Sequence, residues 1–175
     1  MDAIVEAALR KWPNVPACRG WLGLDARGQW WLRDERAQAA GPFPRVKGSR
    51  IDNERLREFI GRNYEPDPAG AWFFQNGPQR VYVELEVAPW VWRLHADGAA
   101  PRIASHSGRA ARLRAALQDE SGRLFLATDL GLGLVHTQDV ALAADAVERG
   151  AWAIEEARFA GLPARYGYVL SPAAT

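Results

Sequence analysis

Cysteine is almost absent from this chain. Cys18 is the only one in 175 residues, which excludes an intrachain disulfide and any Cys-x-x-Cys metal site. Lysine is nearly as scarce, since Lys11 and Lys47 are the only non-arginine members of 22 basic residues. That bias fits recognition of carboxylate or phosphate. With so much Ala and Gly, it also fits a GC-rich genome. Neither charge is in excess: 22 basic and 21 acidic residues leave +1. A general nucleic-acid binder carries a basic surplus for phosphates, so no such activity is expected. No apolar run approaches membrane-spanning length. The start, Met-Asp-Ala-Ile-Val-Glu-Ala-Ala-Leu-Arg, lacks the basic-then-apolar pattern of a signal peptide. These features read as a cytoplasmic protein without membrane association.

Tryptophan, by contrast, is abundant, with eight in the chain. Each buries a large area yet needs a partner for its N–H, which places them at a core edge or along a groove. The 48% hydrophobic and 25% charged content is that of a soluble globular protein. The length suits one domain, residues 1–175, or two lobes, about 1–96 and 97–175, sharing one core.

The most informative stretch runs from Ala71 to Leu94. Asn76-Gly77 separates an aromatic run from an alternating one, which signals a hairpin. Val81, Val83, Leu85 and Val87 alternate with Tyr82, Glu84 and Glu86, as in a strand with one buried face. Ala88-Pro89 ends it, and Trp90, Trp92 and Leu94 begin a new apolar face.

Elsewhere, residues 3–11 fit a short helix with Asp2 at its cap and Pro13 beyond its end. Gly20 to Arg33 reads as a hairpin turning at Asp25-x-x-Gly28. Gln38 to Ser49 reads as a loop. Ile51 to Asn63 reads as a helix capped by Asp52, with Leu56, Phe59, Ile60 and Tyr64 on its apolar face. Arg112 to Thr128 forms a second hairpin at Asp119-x-x-Gly122. The two Asp-x-x-Gly hairpins align, through an internal duplication or through turn chemistry alone. Gly131 to Val135 fits a short strand, and Asp139 caps a helix ending at Gly150. Trp152 to Phe159 is compatible with helix or strand. Gly161-Leu-Pro163 reads as a connection, Tyr166 to Leu170 as a last strand, and Ser171 to Thr175 as a frayed tail. The expected fold is α+β: mostly antiparallel hairpins in one or two small sheets, with two to three helices packed on them. No βαβ alternation suggests parallel pairing.

Catalytic signatures are few. Gly131-x-Gly133 lacks the third glycine of a dinucleotide fingerprint and suits close packing or a bulge instead. Cys18 lies in no known nucleophile context, no Gly-x-Ser-x-Gly elbow exists, and Ser105-His106-Ser107 is no dyad, because neighbouring side chains point apart. Glu84 and Glu86, about 7 Å apart by strand rise, suit acid–base or metal roles or a solvated face. His136 lies between a strand and a helix, where it could serve a site or bond the Thr137-Gln138-Asp139 turn.

Two functional expectations follow. The first is a non-catalytic domain binding a small anionic or aromatic ligand, or a protein partner, through Arg80, Trp90, Trp92, Arg93, His95 and His136. The alternative is a metal-dependent or hydrolytic enzyme using His136 and Asp139 with Glu84 or Glu86. No metal ligand set and no cofactor is identified. A homodimer through a strand edge is compatible with both.

One family resemblance accompanies these readings. Ile51 leads into a helix with Leu56 and Phe59. Asp67-x-x-Gly70-x-Trp72-Phe73 follows, then Val81-x-Val83-x-Leu85-Glu86-x-Ala88-Pro89. This order resembles uncharacterised proteobacterial families, in particular domain of unknown function twelve eighty-five. Here Val87 stands between the acid and the alanine of the acidic-Ala-Pro break, which are adjacent in that family. The resemblance covers about half the chain. It implies an α+β fold of small lobes, no established activity and no catalytic residues to transfer.

Overall fold

Two sheets, each made of two meanders, carry the architecture of the computed structural model. It describes residues 1–174, excluding the side chain of Ala174. The chain divides into two compact units. The first holds Met1–Asp25, Gln29–Glu86 and the chain from Tyr168 on; the second holds Ala26–Gly28 and Val87–Gly167. The division falls where Ala88-Pro89 interrupts the alternating run.

In the first unit, β1 (Cys18–Leu24), β2 (Trp30–Leu32) and β3 (Ser49–Arg50) form one antiparallel meander. β4 (Tyr64–Pro66), β5 (Trp72–Asn76) and β6 (Gln79–Leu85) form the other. The sheet order is β3-β2-β1-β6-β5-β4, and the join between β1 and β6 is parallel. Asn76 pairs with Gln79, and Gly77, with φ 57°, opens the two-residue turn between them. Three α-helices accompany the sheet: α1 (Ala3–Lys11), α2 (Glu35–Ala40) and α3 (Glu54–Arg62). Leu24, Trp30, Ile60, Tyr64, Phe73 and Val83 are buried, and the Trp30 and Tyr64 rings meet edge to face at 5.2 Å.

The cap of α3 is Asn53, whose side chain accepts the Leu56 N–H; Asp52 instead pairs with Arg50. Asp2 likewise makes no side-chain cap on α1. Its carboxylate meets Arg62, and its N–H donates to the buried Asn63. Helix α2, capped by Asp34 through the Ala37 N–H, begins ahead of the expected loop and takes its first residues, Gln38 to Ala40. The rest of that loop is held by buried Arg33, which donates to the carbonyls of Gly20, Gly41 and Val46. Lys47 adds ion pairs of 3.2 Å to Asp25 and 3.0 Å to Glu86.

In the second unit, β7 (Trp90–His95), β8 (Arg102–Ser105) and β9 (Ala110–Ala111) form one meander. β10 (Leu113–Gln118), β11 (Leu124–Thr128) and β12 (Gly131–Val135) form the other. A parallel pair, β12 with β7, again makes the join, and β13 (Ile154–Glu156) adds parallel to β10. The order is β13-β10-β11-β12-β7-β8-β9. Helices α4 (Val140–Glu148) and α5 (Leu162–Tyr166) complete this unit.

The α+β class holds, with two corrections. Both sheets are mixed rather than purely antiparallel, and the described residues form five α-helices rather than two to three. Tyr166 to Leu170 is not a strand. Pro163 starts α5 and Gly167, at φ 65°, closes it. The Ser171–Ala173 segment is not frayed either. Buried Glu84 accepts the Ser171 hydroxyl and the Ala173 N–H, while Leu85 N–H donates to the Leu170 carbonyl. Thr175 lies outside the described residues. Among the described residues, no helix is long and apolar enough to cross a membrane.

Four hairpins share one turn. At Asp25, Asp67, Ser105 and Asp119 a side-chain oxygen accepts the N–H four residues on, and the glycine at the fourth position has φ between 76° and 83°. The backbone N–H of each first residue donates to the carbonyl of that same fifth residue. Two of these turns join strands of each sheet. Each turn needs a short side-chain acceptor and a residue that adopts the left-handed region.

Candidate functional site

An apolar concavity lies wholly in the first unit. It is a groove of about 530 Å³ lined from β1 by Cys18, Trp21 and Leu22, from β2 by Leu32, and from β6 by Gln79 and Val81. Phe74 and Asn76 of β5, Leu56 and Ile60 of α3, and Ile51 complete it. A bulge explains how neighbouring Trp21 and Leu22 both reach it: the β1–β6 register shifts between Cys18 and Leu22, where Gly20 has φ 81°. Leu22, Ile60 and Phe74 are buried, whereas Trp21, Leu32 and Leu56 are 37%, 50% and 42% exposed. Among the described residues, no charged side chain lines the groove. Asn76 and Gln79, flanking the β5–β6 turn, supply its carboxamides, and the Gln79 amide donates to the Pro16 carbonyl.

Cys18 is half-buried on the groove wall, and burial pushes its thiol up from the ordinary value. A nucleophilic cysteine needs the reverse shift, so the groove offers apolar surface rather than an activated thiol.

The residues anticipated from sequence fall elsewhere. Arg80 lies on β6 with its guanidinium 4.5 Å above the Phe73 ring. Trp90, Trp92, Arg93 and His95 lie on β7 of the other sheet. Trp90 and Trp92 are core residues, 1% and 0% exposed, whose indole N–H groups donate to the carbonyls of Leu130 and Leu126. His95 is exposed at the end of β7.

Parallel pairing sets Val135 beside Trp92, which gathers Arg93, His136 and Asp139. Arg93 Nε donates to Asp139 at 2.6 Å, and the Leu94 N–H donates to the same carboxylate. Burial pushes the Asp139 carboxyl up. The Arg93 hydrogen bond, the Leu94 N–H and the nearby positive charge outweigh that and hold it below its usual range. Buried His136 accepts the Gln138 N–H at Nδ1, and its own backbone N–H donates to the Trp92 carbonyl. It thus caps the short turn Thr137–Asp139, the simpler of its two sequence readings.

Glu84 and Glu86 do not form a solvated face. Glu84 is covered by the C-terminal segment, and Glu86 holds Lys47. Among the described residues, no group of three or more His, Cys, Asp or Glu side chains is arranged to hold a metal ion.

The comparisons with known proteins name no activity. A family model, DUF2944, described as "Protein of unknown function (DUF2946)", matches residues 1–173. The chain belongs to that family. Among solved structures, a DUF1285 family protein from Silicibacter pomeroyi DSS-3 is similar at a TM-score of 0.51 and 13% identity. The match covers 83% of this chain and 84% of that one. A second DUF1285 family protein, from Shewanella baltica OS155, has a TM-score of 0.46 and 12% identity over 72% of this chain and 91% of its own. No curated protein matches. At 13% identity the first likeness is one of fold, and it is at that level that the resemblance to the DUF1285 family stands.

Sequence reasoning missed the groove because its walls come from β1, β2, β5, β6, α3 and Ile51 in the link between β3 and α3. The one local signal was a set of apolar residues, Trp21, Leu32 and Leu56, on elements also supplied with better-buried ones.

Proposed function

We propose that this family member is a binding domain without catalysis, and that its ligand is a small, uncharged, largely apolar molecule held in the first unit's groove. The observation carrying this reading is the groove's lining: apolar side chains, two carboxamides and no charge around about 530 Å³. Small-molecule sites span roughly 300–1,000 Å³ and are mostly apolar with a few polar groups that fix orientation. The carboxamides of Asn76 and Gln79 suit a ligand with one neutral hydrogen-bonding end, such as an alcohol or amide. The partial exposure of Trp21, Leu32 and Leu56 leaves apolar surface for such a ligand to cover.

The test uses N-phenyl-1-naphthylamine, a neutral fluorescent probe. Saturable binding is expected in the unaltered protein, with slower alkylation of Cys18 when the probe is bound. Leu32→Asp and Leu56→Asp each place a charge on an already exposed groove residue, so both should fold and lose the probe. Absence of saturable binding, or unchanged binding in both variants, overturns the reading.

A further inference from the structure

A second feature of the first unit lies apart from the groove's lining. Phe73 and Tyr82 are Cα partners on β5 and β6, so both rings stand on one sheet face, with centroids 5.9 Å apart. Each carries a guanidinium. Arg19 lies 4.3 Å above the Tyr82 ring, and Arg80 lies 4.5 Å above the Phe73 ring. Both arginines are exposed.

Among the described residues, neither forms an ion pair with a carboxylate. The acids on or beside this face are otherwise placed. Asp67 accepts the N–H groups of Ala69 and Ala71 and the Tyr82 hydroxyl. Glu84 accepts Ser171 and Ala173. Glu65, the partner of Phe73 across the β4–β5 pair, bridges to neither arginine.

We infer that Arg19 and Arg80 form a clamp for an oxyanion, a phosphate or carboxylate group of a small molecule. Stacking on a ring fixes a flexible guanidinium while leaving its edge donors free. Those donors match the oxygens of phosphate or carboxylate two at a time. Two like charges on adjacent rings repel, and a bound anion relieves that repulsion.

The test is an NMR titration of the whole protein at constant ionic strength. Inorganic phosphate is one arm, citrate a second and chloride the reference. Saturable shifts of the Arg19 and Arg80 Nε–H signals with phosphate or citrate support the clamp, and the arm that responds names the oxyanion. Arg19→Gln and Arg80→Gln should each weaken binding at least ten-fold, and the double variant should abolish it. These side chains are exposed, so folding should persist, and backbone spectra will verify that. No saturable shift in either arm overturns the inference, as does undiminished affinity in the double variant. Loss of the apolar probe site leaves this result unaffected, because the two sites share no residue.

Discussion

Gly133 lies directly against Trp92: a Cβ built on Gly133 would fall 2.6 Å from the indole Cε2 of Trp92 and 2.7 Å from Trp90 Cβ. Parallel pairing of β12 with β7 sets Gly133 opposite Trp90, and the two indoles stack at 5.9 Å. The glycine thus makes room for two fully buried tryptophans.

Gly133→Ala should therefore destabilise the protein by about 1–3 kcal/mol, the usual cost of overpacking a filled core. Gly161→Ala is the control. Its Cβ would meet nothing within 4 Å, and its φ of −88° suits any residue, so the change should stay within about 0.5 kcal/mol. Urea unfolding followed by tryptophan fluorescence measures both. Equal stability of the two variants would show that the Trp90–Trp92 stack yields at little cost.

Ser171→Ala should loosen the C-terminal segment. It removes a hydroxyl donor from the buried Glu84 carboxylate, leaving the Ala173 N–H. A hydrogen bond to a charged group contributes about 1.5–3 kcal/mol. Hydrogen exchange should accelerate at Val169 and Leu85, whose N–H groups bond Gly70 and Leu170, while β10–β12 keep their protection. Unchanged exchange at both amides would contradict the anchoring role of Glu84.

Asp139→Asn should flatten part of the acid limb of the stability curve. The Asp139 carboxyl titrates lower in the folded chain than unfolded, where it stays near about 3.9. Its contribution is thus fully present above that unfolded value and is lost as pH falls through the folded one. The unaltered protein should lose this stability on acidification. The asparagine variant, less stable at pH 7, should lose correspondingly less. Parallel acid limbs for the two proteins would exclude an energetic role for the Arg93–Asp139 pair.

Local chemistry was the legible part of this chain. The Asn76–Gln79 turn, the strand at Val81 to Leu85 and the Asp25 and Asp119 hairpins depend on residues a few positions apart, and each formed where that chemistry places it, although the strand is buried on both faces from Tyr82 to Leu85 rather than on one. The Ser105 hairpin escaped notice because serine fills the acceptor position held by aspartate in the other three. The final strand was misplaced because Tyr166 to Leu170 has a strand-like composition, whereas Pro163 and Gly167 bound a helix around Leu162–Tyr166. The setting of the β7 tryptophans was hidden for a related reason. Trp90 and Trp92 look alike whether they line a groove or fill a core, and only the carbonyls of Leu130 and Leu126, far along the chain, decide it.

The sequence by itself determined the α+β class and the hairpins at Asp25, Asn76-Gly77 and Asp119, because these depend on periodicity and on turn residues a few positions apart. Tertiary structure alone decided the parallel joins β1–β6 and β12–β7, the burial of Glu84 and the assembly of the groove. Each of these brings together segments tens of residues apart, and such contacts are selected by the total apolar surface they bury rather than by any local pattern.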